Sequence, residues 1–553
     1  MKLLSAVSVL AAGASALDAA QWRSQTIYQV MTDRFARTDG STTAPCDTLE
    51  STYCGGTWRG LIQQLDYIQG LGATAVWISP FVKNVQGKSR DGSESYHGYW
   101  AQDIYQINPL FGTAADLRAL SDALHARGMY LMADVVTNHM AWIGAPSTVN
   151  FTAYRPFSNA SAYHMPPCWI NYDDQSSVEK CWQGSDAVPL PDLRTEDPAV
   201  RRVFNSWIKD AVRRYGFDGL RLDSAKHVEK SFWPPFERAA GVYTVGEVFH
   251  GDPKYVVPYQ DSMSGLMNYP VYYWVTQAFQ STSGSIWNLA NGVKELAATA
   301  RDLTLWGGFL ENHDQKRFAN LTPDRALLKN ALTFTLLMDG IPIIYQGLEQ
   351  GFSGGDVPFN REAVWLSGYN TGSDLYRWIK KLVGLRSTMA SLDRGYLFYK
   401  SQPIYTDDRI IAMRKGYDGS QVVSVYSNVG ANKTFGVSLG QAETGFRPCK
   451  LILEVNRCRP FVTDSSGVLK AESGSGEPLV FVPAERVMGT GICAGGIGKP
   501  PPPPPPARRN SAAAAAAPPS ATASIAFEST DFNLDSIGRF NNITSLPCLT
   551  SQP

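Results

Sequence analysis

Apolar runs of strand length, separated by stretches with helical periodicity, fill the chain up to about Phe398. Thr26-Ile27-Tyr28-Gln29-Val30 reads as a buried strand. Trp58, Leu61, Leu65 and Ile68 then recur at helical spacing, Gly70 and Gly72 stop the helix, and the run Ala73 to Ser79 follows as the next strand. A second unit has Leu117, Leu120 and Leu124 on one helical face, Gly128 as the stop and a strand from Tyr130 to Val136. Asp197 has the chemistry of an N-cap, with Pro198 at the first helical position; Val203, Phe204, Trp207 and Ala211 then mark a helix that Gly216 ends. The strand after it begins at Gly219. Further strands are expected at Val242 to Val248, Leu266 to Val275, Leu303 to Leu310 and Ile341 to Tyr345. Repeated strand–helix units of this number predict a closed parallel (β/α)8 TIM barrel, although an open doubly wound sheet has the same local pattern.

Two segments break the rhythm. Residues 139–194, rich in polar and aromatic positions, read as a subdomain inserted after strand 3, leaving residues 17–138 and 195–397 for the barrel. Residues 398–495 change to short alternating runs such as Arg409-Ile410-Ile411-Ala412-Met413, which predict a C-terminal antiparallel β-sandwich domain. Residues 496–553 carry a proline run from Pro500 to Pro506 and an alanine run from Ala512 to Ala517, and read as a disordered tail.

Within this frame the stretch Gly219-Leu220-Arg221-Leu222-Asp223-Ser224-Ala225-Lys226-His227 stands out. Side chains alternate along a strand, so Gly219, Arg221 and Asp223 share one face and Leu220 and Leu222 the other. Alone, Arg221 and Asp223 read equally as a structural ion pair. Their address changes that. Asp134-Val135-Val136-Thr137-Asn138-His139, Gly246-Glu247-Val248 and Glu311-Asn312-His313-Asp314 also close predicted strands, and in a parallel barrel all of these ends meet on the rim where barrel enzymes carry their chemistry. Three carboxylates there, Asp223, Glu247 and Asp314, suit glycosidic bond cleavage, which needs one carboxyl protonated and another ionised. Arg221 would hold Asp223 anionic, and the apolar strand around Glu247 favours it as the acid. A metal site or a salt-bridge network is the bland alternative.

Lys+Arg and Asp+Glu both number 50, a balance that argues against nucleic acid as the partner. Lys2, the apolar run Leu3 to Ala12 and Ala14-Ser15-Ala16 read as a signal peptide over residues 1–16, and no later run is long enough for a membrane span. A secreted monomer is therefore expected, possible association with a cell wall being left open. Eight cysteines in such a chain imply disulfides. Cys46 with Cys54 and Cys168 with Cys181 read as loop staples, Cys458 with Cys493 as a longer closure, and Cys449 and Cys548 have no obvious partner. Sequons at Asn150, Asn159, Asn320, Asn432 and Asn542 fit a secreted glycoprotein.

The rim motifs, joined by Leu190-Pro191-Asp192-Leu193, resemble those of the secreted fungal α-amylases of glycoside hydrolase family 13, over about Gln21 to Cys493. The resemblance implies Asp223 as nucleophile, Glu247 as acid/base and Asp314 as a stabiliser that binds sugar hydroxyls. It implies that His139 and His313 bond the sugar at the cut, that Arg221 orients the nucleophile, and that Tyr99 stacks on a sugar beside His97 and Trp100. Lys226 and His227 would contact the leaving-group side. Ca2+ is implied too, held by Asn138, Glu179, Asp192 and the backbone carbonyl of His227, clamping the insert to the barrel. Two departures stand out: Val357 replaces an aspartate near Arg361, the arginine expected at a distal glucose, and Thr244 replaces a disulfide cysteine. The expected activity is endo-acting hydrolysis of α-1,4-glucan, a polysaccharide or maltooligosaccharide. The alternatives are a 4-α-glucanotransferase, which the intact His139 and His313 disfavour, and a non-catalytic glucan-binding wall protein, which the carboxylate trio disfavours.

Overall fold

The computed structural model describes residues 18–493; the expected signal peptide, the tail and Cys548 lie outside the described residues. Eight parallel strands form one sheet: β1 (Ile27–Val30), β2 (Ala75–Ile78), β3 (Tyr130–Val135), β4 (Gly219–Leu222), β5 (Tyr243–Gly246), β6 (Gly265–Leu266), β7 (Gly307–Phe309) and β8 (Ile341–Tyr345). Their order is β6-β5-β4-β3-β2-β1-β8-β7, and a parallel bridge between Met267 and Gly307 closes the edges into a barrel. The predicted closed barrel is the one observed.

Alternation along the strands divides the core. Ile27, Trp77, Met132, Tyr243, Val245 and Ile343 fill the interior, while Leu220 and Leu222 belong to the larger core outside the sheet. Trp22 plugs the bottom: a Cβ on Gly219 would lie 2.6 Å from its ring, so glycine there makes room for the plug. The helix Pro198–Tyr215 that feeds β4 is capped by Asp197 and ends at Gly216 in the left-handed region, as the sequence suggests.

One expected strand is mostly helix. The strand Gly265–Leu266 takes in only the first residue of the run Leu266 to Val275, and Tyr269–Phe279 is an α-helix capped by the Asn268 side chain with Pro270 in its first turn. Its aromatic and β-branched residues look strand-like, but the cap and proline fix a helix start. The segment 139–194 forms short turns and a ribbon (Gln183–Gly184 with Pro189–Leu190), joined to the end of β3 by a bridge between His139 and Asp192. The C-terminal domain pairs β9 (Gln402–Thr406), β10 (Ile410–Lys415), β11 (Val422–Ser427), β13 (Leu451–Glu454), β14 (Arg459–Val462) and β16 (Leu479–Pro483) in one antiparallel sheet. A second sheet pairs β12 (Phe435–Leu439) with β15 (Leu469–Ser473). Disulfides join Cys46–Cys54, Cys168–Cys181 and Cys458–Cys493 as expected. Cys449, which the sequence left unpaired, is also disulfide-bonded. Among the described residues no helix is long and apolar enough to cross a membrane.

Candidate active site

The site is built on the register of β3, β4 and β5. Asp134 pairs with Arg221, and Arg221 with Val245, so period-two alternation directs Asp134, Arg221, Asp223 and Glu247 to the same end of the barrel interior. Arg221 is buried and is the hub: Nη1 donates to Asp134 Oδ1 at 3.0 Å and to Asp223 Oδ1 at 2.6 Å, and Nη2 reaches Glu247 Oε1 at 2.8 Å. One guanidinium thus serves three carboxylates. Asp134 is fixed further by Trp77 Nε1 at 3.0 Å and the Tyr99 hydroxyl at 2.7 Å. The sequence marks Asp134 as the start of a motif but gives it no role; only the cross-strand register shows that it anchors Arg221.

Glu247 differs from its neighbours in what surrounds it. Burial raises its pKa to about 8 against the pull of Arg221, with Asp223 and Asp314 adding to the rise. Its Oε2 accepts the Ser224 backbone N–H at 3.0 Å and its Oε1 the Tyr269 hydroxyl at 3.2 Å. Ser224 holds the left-handed conformation at φ 49°, uncommon for a residue with a Cβ, in the turn that brings its N–H to Glu247. The native state therefore holds an extra proton on Glu247 between about 4.5 and 8, and the stability this contributes, present in full below that window, is lost as pH rises through it. An activity limb follows from the same shift. With Glu247 as the acid that the motif resemblance implies, turnover of a glucan, whose leaving oxygen needs a proton, is expected to fall above about pH 8, while turnover of a maltosyl fluoride, whose leaving group needs none, stays level; pH profiles of kcat/KM on the two substrates check this.

Asp314 is the most open of the three carboxylates, with 30% of its side chain exposed. His313 Nε2 lies 3.2 Å from its Oδ2, and Arg361 Nη2 donates to its Oδ1 at 3.3 Å. Arg361, expected at a distal glucose, lines the cleft and packs on Asp314, also donating to the His313 carbonyl at 3.0 Å and the Tyr96 hydroxyl at 3.2 Å. Val357 is 45% exposed on the surface, and its neighbour Asp356 pairs with Lys316 at 3.1 Å.

A cleft of about 600 Å³ opens above these groups. His97, Tyr99, Trp100, His139 and His313 line one side, with Tyr99 stacked on His313 at 5.3 Å between ring centres. Burial pulls the pKa values of His97, His139 and His313 down, so all three are neutral imidazoles at neutral pH. His97 Nδ1 accepts the Tyr99 N–H at 3.1 Å and His313 Nδ1 the Gln29 amide at 2.8 Å, leaving each Nε2 as the donor. His139 spends its Nε2 on the Tyr99 carbonyl at 3.1 Å. On the other side, Lys226 donates to the Phe249 carbonyl at 2.9 Å and sits 4.8 Å from the Tyr172 ring centre, and His227 lies beside Gln183. The insert supplies Trp169, Tyr172, Trp182 and Gln183 to this wall, and the loop after β5 supplies Phe249. None of these five was singled out from the sequence. Arg221 lies beneath the cleft floor rather than on it.

Asn138, Glu179, Asp192 and His227 draw near through shared partners rather than through a closed shell. Asn138 and His227 both contact Gln183, and Gln175 bonds both Glu179 and the Lys226 carbonyl. Asp192 is buried with Oδ1 lacking any hydrogen-bond partner, while Oδ2 takes His164 at 2.7 Å. An orphaned, buried carboxylate oxygen has the chemistry a hard cation fits, as do the amide and backbone-carbonyl oxygens of the expected set. Among the described residues no three His, Cys, Asp or Glu side chains cluster as a metal site. Thr244, which stands in place of a cysteine, is buried on β5, and its hydroxyl donates to Glu237, which also accepts the Ser264 N–H at 2.8 Å. A polar cross-link thus ties the helix Trp233–Ala240 to the β5–β6 region.

Comparison with known proteins follows the same outline. The family profile described as "Alpha amylase, catalytic domain" matches residues 29–364, and "Alpha-amylase, domain C" matches residues 403–499. Alpha-amylase 2 of Schwanniomyces occidentalis is 48% identical over 87% of this chain and 94% of its own length. The alpha-amylase of Saccharomycopsis fibuligera is 46% identical over 85% and 93%. The solved alpha-amylase of Malbranchea cinnamomea superposes with a TM-score of 0.83 at 48% identity, over 86% of this chain and all of that one. With a barrel rim that gathers three carboxylates on this framework, the chain belongs to the α-amylase family of glycoside hydrolases, family 13, among its fungal members.

Proposed function

We propose that the protein is a secreted, endo-acting, retaining α-1,4-glucan hydrolase in which Asp223 is the nucleophile, Glu247 the acid/base and Asp314 the group that grips the sugar hydroxyls. The observation that carries this reading is the shared guanidinium of Arg221: it bonds Asp223 and Glu247 together, while burial keeps Glu247 protonated. Two carboxyls on one guanidinium suit the short spacing, about 5–5.5 Å, of retaining enzymes. In the first step an Asp223 oxygen bonds to the anomeric carbon as the glycosidic bond breaks and Glu247 passes its proton to the leaving oxygen. In the second, Glu247 takes a proton from water, whose oxygen displaces Asp223 and restores the original anomeric configuration. His97 and His313, held as neutral Nε2 donors, suit sugar hydroxyls, and Tyr99 and Trp100 offer apolar faces to the ring.

Products formed early from maltoheptaose test the reading. Shorter maltooligosaccharides alone are expected; products longer than the substrate would instead establish a glucanotransferase.

Calcium belongs to the same proposal. Asn138, Glu179, Asp192 and the His227 carbonyl would hold it, and its charge would satisfy the orphaned Asp192 oxygen and tie the insert to the barrel. Chelation is expected to lower Tm by roughly 3 °C, the size of shift expected in a chain of this length when a ligand present at about 100 times Kd is removed. Asp192→Asn should abolish the difference between chelated and calcium-loaded protein in a thermal melt. The disulfides suit an oxidising compartment and so support secretion.

A further inference from the structure

The reaction as proposed uses Asp314 but leaves unexplained what holds the loop that carries it. Residues 312–316 bridge the end of β7 and the helix Phe318–Leu321, and a loop between β7 and its helix has no backbone ladder to fix it. Behind it lies a buried ion-pair network that touches neither the cleft nor the three carboxylates. Arg317 is completely buried; its Nη1 donates to Glu311 Oε1 and to the Gln346 carbonyl, both at 2.8 Å, so it ties the end of β7 to the end of β8. Its Nε donates to Glu362 Oε2 at 3.0 Å, with Nη2 at ion-pair distance from the same oxygen, 2.9 Å, and the guanidinium lies 4.1 Å from the Tyr345 ring centre. The second oxygen of each carboxylate is also used: Glu311 Oε2 accepts the Phe318 N–H at 2.8 Å, and Glu362 Oε1 the Gly354 N–H at 2.7 Å.

The neighbour of Glu362 in sequence, Arg361, faces the other way and pairs with Asp314 at 3.3 Å. The loop 354–362 is therefore pinned at its back by Arg317 and presses on Asp314 at its front. Asn360 adds a third strap, its side-chain N–H donating to the Gln315 carbonyl at 2.8 Å, one residue past Asp314. Glycine at 354 is demanded by this closeness: a Cβ there would lie 1.9 Å from the Phe359 carbonyl oxygen. Burying two carboxylates with one arginine is a poor source of stability by itself, because desolvation offsets the attraction, but it fixes geometry.

We infer that Arg317 and Glu362 are positioning residues for the reaction, a buried brace that sets Asp314 and Arg361 against the sugar. The inference rests on the proposed role of Asp314. Loss of the brace lets Asp314 shift, and a displacement of about 1 Å in a reacting group can lower a rate by about a hundredfold.

A double-mutant cycle separates this from a merely structural role. Glu362 is at the partly open edge of the network, with 24% of its side chain exposed, so Glu362→Gln tests the brace without emptying the buried centre. Its kcat/KM on a maltosyl fluoride, measured well below Tm, is expected to fall about tenfold to a hundredfold, mainly in kcat. In an Asp314→Asn background the same change is expected to alter kcat/KM less than about twofold, because the group it positions is gone. Equal losses in both backgrounds, or no loss in the wild-type background, would overturn the brace and leave the role of Asp314 standing. Full activity in Asp314→Asn alone would overturn both.

Discussion

Asp223→Asn is expected to lower kcat on a soluble glucan by about 10⁴-fold or more, with KM and Tm changed little. Asparagine keeps the shape of the side chain and can still accept from Arg221 Nη1, which lies 2.6 Å from Asp223 Oδ1. What it loses is the anionic oxygen that, in the proposed mechanism, attacks the anomeric carbon. In the same proposal the substrate's hydroxyls are gripped elsewhere, by Asp314 and the neutral histidines, so ground-state binding should survive while the covalent step fails. Initial rates of reducing-end release, with a thermal melt of the same preparation, separate lost chemistry from lost folding. A loss of less than tenfold would remove Asp223 from the nucleophile's position.

The second large effect is Arg221→Met. This change leaves Asp134, Asp223 and Glu247 together in a buried space with no positive partner, where Arg221 had bonded all three. Removing one member of a buried ion-paired group costs about 3–5 kcal/mol, which is a large share of the stability of most domains. The loss has a definite pH sign. Without the guanidinium the carboxylate pKa values rise beyond the already raised values of Asp134 and Glu247, so destabilisation is greatest at pH 8 and shrinks as acid protonates the cluster. Denaturant unfolding at pH 5 and pH 8 measures it; equal destabilisation at both would show that Arg221 acts through packing alone. Arg221→Lys is not expected to restore activity, since one ammonium cannot take the place of a planar fork bonded to carboxylates on three strands.

How much of this was open to a reader of the sequence depended on how local the signal was. The barrel and its rim were legible because short apolar runs of strand length recur between stretches of helical periodicity, and because Arg221, Asp223 and Glu247 lie inside short motifs at strand ends. The run after Leu266 was misread for the opposite reason: the helix Tyr269–Phe279 is rich in aromatic and β-branched residues, and its Asn268 cap and Pro270 carried the correct signal. Partners fixed by three-dimensional register were out of reach. Asp134 meets Arg221 across a strand pair, and Glu362 meets Arg317 across 45 residues of chain. The aromatic wall from the insert, Trp169 and Tyr172 among it, gives no periodic signal at all, since that segment has almost no regular structure. Arg361 lies in the cleft wall, but its contact with Asp314 joins residues 47 apart in the chain, which no local pattern announces.

The covalent step is the point on which the mechanism turns, and it can be seen directly. Incubation with a 5-fluoro-maltosyl fluoride, which forms the glycosyl–enzyme quickly and releases it slowly, followed by proteolysis and peptide mass measurement, locates the attachment. One glycosyl unit bound to Asp223, in the peptide spanning Gly219 to His227, is the predicted result. Attachment to Glu247 or Asp314, or turnover of the reagent with no adduct on any peptide, would contradict it.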